Sequence, residues 1–395
     1  MNKRNQIFFT AYLAALAAFA PFSTDIYLAS MPIIQKSFHT HAANVQLTLS
    51  LFFVGFAVMQ LIWGPLSDRI GRKAVIFTGL MTFIAGSLLC AVSQNITSLI
   101  IARIIQALGA CAGIVMATAS VKDHFKEPKA VSNALSRIMS IMMLAPMIAP
   151  IIGSYLLARI NWQSNFYFLA IYGAMLFFAT FFIQESHPKA IRRPLKAKHL
   201  ITAYIEQTKS IPFLLPTLAA STNFSAMFCF ISSSSFIYIK LYGLPPSQFG
   251  YFFAVNAAAL ILGSISLNRL KEKLSDQHIM QIAMTLTLSG SCVMLIALTL
   301  KPSIFSIAAP SFIVTFGIGL LYPEIIALAL KHVVHHTGLA SSLIGTTRFT
   351  LAAITGFIMG LVITYSALPL AISMLILNVF TLILMHAYRK AEASR

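Results

Sequence analysis

The stretch GPLSDRIGRKAVI, residues 64–76, joins two long apolar runs through a few polar positions. A connection this short needs a residue that tolerates a tight reversal, and Gly71 supplies it. Gly64, lacking a side chain, permits close packing of the helix that precedes the turn. Arg69, Arg72 and Lys73 alone would serve a loop that only fixes orientation in a membrane. An aspartate, Asp68, and two glycines held in register with them ask for a further explanation.

The rest of the chain has the same texture. Hydrophobic residues make up 58% of the 395 and charged residues 10%, against roughly 25% charged in a soluble domain. The net charge of +18 would in a soluble protein suggest nucleic acid. Here the cations sit in short loops between apolar runs, with no basic segment interleaved with aromatics on which bases could stack, which excludes that class. Twelve runs have the length a membrane helix needs, at about 7–34, 45–67, 74–94, 97–121, 131–158, 163–183, 212–239, 247–268, 277–299, 303–330, 338–364 and 367–388. The first continues past the length of a signal-peptide core without a small-residue cleavage site, so it is expected to be a retained span.

With the N-terminus inside, cytoplasmic segments hold 22 of the 28 Lys and Arg, from Lys3 and Arg4 through the loops to Arg395; the outer side holds Lys36, Arg159, Lys240 and Lys301. The bias places both termini in the cytoplasm. The longest polar stretch, residues 185–210, is basic and contains prolines. It divides the chain into six spans over 1–184 and six over 211–395, and has room for a short surface helix. A faint repeat supports the division: Asp68 and Arg69 after span two match Asn268 and Arg269 after span eight. The fold class is therefore all-α and membrane-integral, twelve helices in two bundles of six.

The loop at Gly64–Ile76 closely resembles the loop 2–3 signature of the major facilitator superfamily. That resemblance implies a loop beside the N-terminus of span eleven, whose positive end favours Asp68. It also places Arg72 within reach of Asp123 at the end of span four, a conformational latch of Gly64, Asp68, Arg69, Gly71, Arg72 and Asp123. ARIIQALGACAG in span four, with Arg103, Gln106 and Gly109, and LAPMIAPIIGS in span five, with Pro146, Pro150 and Gly153, resemble motifs of the 12-span drug:proton antiporters, and within them the Bcr/CflA bicyclomycin-resistance group. Ala145, Ala149 and Ser154 stand where the antiporter motif more often has glycine. The motif implies a kinked, tightly packed helix.

Four charges fall within spans: Asp25, Arg103, Glu324 and Arg348. Each costs roughly 2.5–3.5 kcal/mol at a helix centre on insertion scales, so each calls for a partner or a use. Asp25, in PFSTDIYLASMP, has no Lys or Arg within ten residues. It is expected to take a proton from the outer side and release it inside, or to form a structural hydrogen bond. Arg103 keeps its charge; the span-four resemblance implies that it tunes or relays protonation at Asp25 or a bound water, and the alternative is that it donates to backbone carbonyls of span one. In the resembled group the Glu324 and Arg348 positions more often hold neutral amides. An acid and a base on consecutive spans suggest a pair between them, static or opening to take a charged substrate. Glu324 joins Asp25 and Arg103 as a proton-coupling candidate.

The substrate surface is expected to combine Asp25, Glu324 and Arg348 with Tyr27, Phe53, Met142, Phe230, Phe236 and Asn256, although core packing suits any one of the apolar side chains equally. The histidines at 39 and 41 and in KHVVHH (331–336) complete no tetrahedral set, so no metal is expected. Cys90, Cys111, Cys229 and Cys292 show no disulfide or metal spacing and are expected to be buried thiols. No phosphate-binding loop is present. The reading is a non-enzymatic, monomeric transporter of the bacterial inner membrane, without cofactor. It binds protons and a small-molecule substrate, draws on the proton gradient and exports drugs by alternating access. The alternatives are an exporter of an endogenous metabolite such as a polycarboxylate siderophore and, in another class, a non-transporting sensor on the same fold.

Overall fold

The computed structural model describes residues 3–125, 127–188, 197–331, 333, 337–363 and 366–393. Every regular element among them is helical. Twelve are long and apolar enough to cross a membrane: spans one to six are Gln6–Ser37, Ala42–Ile70, Arg72–Ala91, Ile96–His124, Lys129–Arg159 and Gln163–Phe181. Spans seven to twelve are Ile211–Leu241, Pro246–Lys271, Asp276–Leu300, Phe305–Lys331, Gly338–Val362 and Leu368–Ala393. Large apolar side chains such as Ile171, Phe178, Val293 and Phe380 stay exposed along the helices, as lipid-facing surfaces require. Cys292 lies on that surface, contrary to its expected burial. In hydrocarbon, outward-facing positions are as apolar as inward ones, so composition cannot tell them apart. The other three cysteines are buried.

A helix, Ala197–Lys209, occupies the end of the long polar stretch, and Tyr204 Oη from it donates to Leu61 O of span two at 3.4 Å. The cations at 189–196, the histidines at 332, 335 and 336, and Lys126 lie outside the described residues.

Small residues set the packing. In the first six spans, span four lies against three through Gly109 beside the Gly79 carbonyl, and against one through Gly113 beside Leu16 O. In the last six, spans eight and ten meet at Gly263 and Gly319, whose added Cβ atoms would each come within 3.1–3.2 Å of the other's Cα. Two seams join these groups. Gly250 of span eight rests on Pro150 and Ile151 of span five. Spans two and eleven run antiparallel, with Thr346 donating to Ala57 O at 3.1 Å, Gly345 on Gln60, Gly356 on Ser50 and Gly360 on Gln46. That register, carried on, brings the end of span two that holds Asp68 towards the start of the helix Thr337–Val362, where unpaired N–H groups favour an acid.

Span one is broken. Helices cover Lys3–Ala17, Phe19–Asp25 and Met31–Ser37, with a 3₁₀ turn at Leu28–Ser30. The local sequence weakens the helix here without by itself breaking it. Pro21 removes a backbone donor, and the hydroxyls of Ser23 and Thr24 bond back to Phe19 O at 2.6 Å and Ala20 O at 3.2 Å, competing with the helical ladder. Pro32 then sits where a new helix starts, a position that suits it.

Candidate transport site

The break in span one is gripped from four sides. Tyr27 leaves helical geometry at φ −98°, ψ 0°, and its hydroxyl hydrogen-bonds to Thr48 of span two at 2.8 Å. From span six, Asn165 Nδ2 donates to Ser30 Oγ at 2.9 Å. From span four, Arg103 Nη1 donates to Ser23 O at 3.0 Å, one of the carbonyls a helix end leaves open. From span five, Gly153 lies directly against Ile26 O, and a Cβ there would overlap that carbonyl. The helix of span five continues through Pro146 and Pro150, so the match to the antiporter motif is expressed here as contact with the break.

Asp25 ends the helix at this point. It is 4% exposed, and its Oδ1 accepts from Thr24 Oγ1 at 2.9 Å. None of the ion pairs among the described residues includes it. Arg103 does not bond to it. That guanidinium is fully buried, 4.4 Å from the ring centroids of both Tyr27 and Phe52. Its Nη1 also donates to Gln106 Oε1 at 2.5 Å, and Gln106 Nε2 donates in turn to Ser87 Oγ at 2.8 Å. Of the two roles open to Arg103, the geometry is that of the carbonyl donor. Its Nε and Nη2 have no acceptor.

The expected pair of Glu324 with Arg348 is not formed. Glu324, almost fully buried, pairs with Lys271 Nζ at 2.6 Å. Lys271 ends span eight, and its flexible stem reaches inward to the carboxylate while leaving the head partly wet. Spans ten and eleven meet only sparsely, whereas eight and ten pack closely, so the acid finds its base on the packed neighbour. Arg348 instead donates from Nη1 to Tyr322 Oη at 2.8 Å and lies over the rings of Phe349 and Phe224, 4.2 and 4.9 Å from their centroids.

The other surface candidates separate. Phe53 stacks on Phe349 at 5.1 Å and meets Phe228 edge-on at 4.8 Å, at the seam of spans two and eleven. Phe230 and Phe236 are buried, Phe230 facing Phe253 at 6.0 Å. Asn256 accepts from Thr315 Oγ1 at 2.8 Å, and its Nδ2 has no partner. Tyr27 is enclosed beneath Arg103 rather than lining a surface. Met142 is half-buried, one turn from Met139 in an open cleft of about 680 Å³ that also includes Lys122, Phe125 and Leu135. Asn223 and Gln46, fully buried, have both ends of their amides unpartnered. Among the described residues no group of three His, Cys, Asp or Glu could hold a metal.

At the loop between spans two and three the expected residues do meet. Gly71 has φ 102°, a conformation few residues but glycine adopt. Arg72 Nε donates to Asp123 Oδ2 at 2.8 Å, and its Nη1 bonds Asp68 at 2.6 Å and Ser67 Oγ. Gly64 is a correction: an added Cβ would meet nothing within 4 Å, so it makes no close packing. The sequence did not disclose Glu185, whose carboxylate accepts from the backbone N–H groups of Arg72 and Lys73 at 3.0 and 3.2 Å. It caps the start of span three from the far end of span six. Its place among Pro, His and Lys of the linker concealed it.

Twelve apolar helices in two seam-joined groups, with a few charges buried among them, make a multi-pass membrane protein. The family model of the Major Facilitator Superfamily matches residues 13–357. The chain belongs to that superfamily, whose members are transporters of small molecules rather than enzymes. It is 32% identical over 380 residues to the bicyclomycin resistance protein homolog of Haemophilus influenzae, covering 95% of this chain and 94% of that one. It is 24% identical over 377 residues to the multidrug resistance protein MdtL of Escherichia coli, covering 92% and 94%. Among solved structures, a bacterial homolog of the human lysosomal transporter Spinster, inward-facing and unoccupied, superposes with TM-score 0.73 at 15% identity over 98% of this chain and 97% of that one. The xylose transporter XylE of E. coli, partially occluded and inward-open, gives 0.71 at 10% over 96% and 95%.

Proposed function

We propose that the protein exports drugs or other small amphipathic compounds in exchange for protons, by alternating access, with Asp25 as the exchangeable proton site. The observation that carries this is the isolation of Asp25: a buried carboxylate at a helix break, with one hydroxyl partner and no cation paired to it among the described residues. An ionised carboxylate there bears a burial cost that taking up a proton relieves. Asp25 adjoins Ile26, whose carbonyl touches Gly153 of span five, so a change at Asp25 reaches a seam helix directly. The relatives named for bicyclomycin and multidrug resistance support drugs as cargo. Both termini are assigned to the cytoplasm of a bacterial inner membrane, residues 1–184 and 211–395 to two bundles rocking about a central site, and Arg72 with Asp68 and Asp123 to a latch between their states. The protein works as a monomer without a cofactor.

The test is substrate-triggered proton movement in everted vesicles, wild type against Asp25→Asn, with a lipophilic cation, a neutral antibiotic, an amino acid and a polycarboxylate. Proton release on adding the cation or the neutral drug, abolished by the substitution, is the expected result. Equal responses of the two proteins overturn the assignment and turn attention to Glu324. A response to the polycarboxylate alone supports the second reading, a metabolite exporter, which is favoured because Arg348 has no carboxylate partner among the described residues.

A further inference from the structure

Arg348 lies near the middle of span eleven and carries a charge without a counter-ion among the described residues. The interior carboxylates of the described spans are bonded elsewhere: Glu324 is held by Lys271, and Asp25, in the broken first span, accepts from Thr24. No ion pair among the described residues includes Arg348. What holds the guanidinium is a set of rings, Phe349, Phe224 and Tyr322, with centroids at 4.2, 4.9 and 5.8 Å. Such contacts are worth about 0.5–2 kcal/mol each, enough together to offset the roughly 2.5–3.5 kcal/mol of placing the charge there. They use the face of the guanidinium and leave its edge free.

The free edge is specific. Nε is buried without a partner, and among the described residues Nη1 to Tyr322 is the one hydrogen bond the guanidinium makes. Nε and Nη2 form one side of the planar fork, the side that binds a carboxylate through two parallel hydrogen bonds. Arg103 has the same unpartnered edge of Nε and Nη2 but no accessible surface, which closes it to a ligand. Arg348, Phe224 and Tyr322 all keep accessible surface. Phe349 also stacks on Phe53 of span two, so this box stands at the seam of the two six-span groups, where a bound molecule touches both.

We propose that Arg348 is the anchor for the carboxylate of an aromatic, amphipathic substrate, its free edge taking the acid and the surrounding rings the apolar body. This rests on the export reading and deepens it by naming the chemical class of the cargo.

The test is equilibrium binding to the purified full chain in detergent, with 1-naphthylacetate and nalidixate compared with their methyl esters. Wild type is expected to bind at least one acid about tenfold tighter than its ester, the worth of one charge-assisted pair. Arg348→Gln brings that ratio to within about twofold of one. Arg348→Lys, which keeps the cation over the rings but loses the fork, lowers it at least about threefold. Lys271→Met leaves the ratio unchanged, since its partner is Glu324. A wild-type ratio near one for both acids overturns the proposal. So does a ratio that survives in a monodisperse Arg348→Gln protein or, where that protein aggregates, in Arg348→Lys. Detergent binding needs no proton gradient, so failure here and failure of Asp25-dependent coupling in vesicles are separate results.

Discussion

Replacing Lys271 by Met removes the partner of Glu324 and keeps most of the apolar stem. The carboxylate side chain is 5% exposed and the lysine 41%, with nitrogen and oxygen 2.6 Å apart. Breaking a fully buried pair by deleting one member costs about 3–5 kcal/mol, because the remaining charge is stranded; an exposed pair is worth about 0–1 kcal/mol. Lys271 is wet enough to be screened and Glu324 is not, which places the cost of Lys271→Met at about 1–3 kcal/mol. Glu324→Gln removes the stranded charge, so the double variant Lys271→Met with Glu324→Gln is expected to regain more than half of the loss. The four proteins of this cycle are compared by denaturant titration in mixed micelles. A coupling energy of about 1 kcal/mol or more is the expected outcome. Additive losses, with the double variant the least stable of the four, refute the reasoning that Glu324 depends on Lys271.

Three further outcomes follow from the same geometry. Gly153→Ala puts a methyl group onto Ile26 O and is expected to cost about 1–3 kcal/mol through overpacking, read as lower thermal stability, whereas Gly64→Ala, which meets open space, leaves it unchanged. Arg72→Lys retains the charge but cannot hold Asp123, Asp68 and Ser67 together; transport is expected to fall at least several-fold with substrate binding unchanged, checked by comparing uptake with detergent binding. Single cysteines in place of Lys273 and Lys301, in a protein freed of native cysteines, are expected to react with an impermeant maleimide only in everted and only in right-side-out vesicles, respectively, which checks the orientation assigned from the positive charges.

The spans were legible because a bilayer imposes one requirement on each: apolar length with backbone bonds satisfied internally. Span one is the instructive case. Its length was readable, but the break at Asp25–Ser30 was not; Pro21, Ser23 and Thr24 each tolerate a continuous helix, and only the grip of Arg103, Gly153, Thr48 and Asn165 selects the broken form. The contact of Arg72 with Asp123, 51 residues apart, was legible only through the family resemblance of the loop. The partner of Glu324 was not, since neighbouring spans in sequence are not always neighbours in the bundle: eight packs on ten through Gly263 and Gly319. A cue was present in Lys271, at a span end about two helical turns in depth from Glu324, within reach of a lysine stem. Tyr27 was misplaced on the substrate surface because residue type alone does not tell an enclosed ring from one that lines a cavity.

The central claim is that Asp25 couples transport to the proton gradient, and reconstitution tests it most directly. In proteoliposomes, Asp25→Asn is expected to keep counterflow, the gradient-free exchange of labelled for unlabelled substrate, at a rate near wild type. It is expected to lose accumulation driven by an imposed pH difference. Gradient-driven accumulation by Asp25→Asn at the wild-type level would contradict the account.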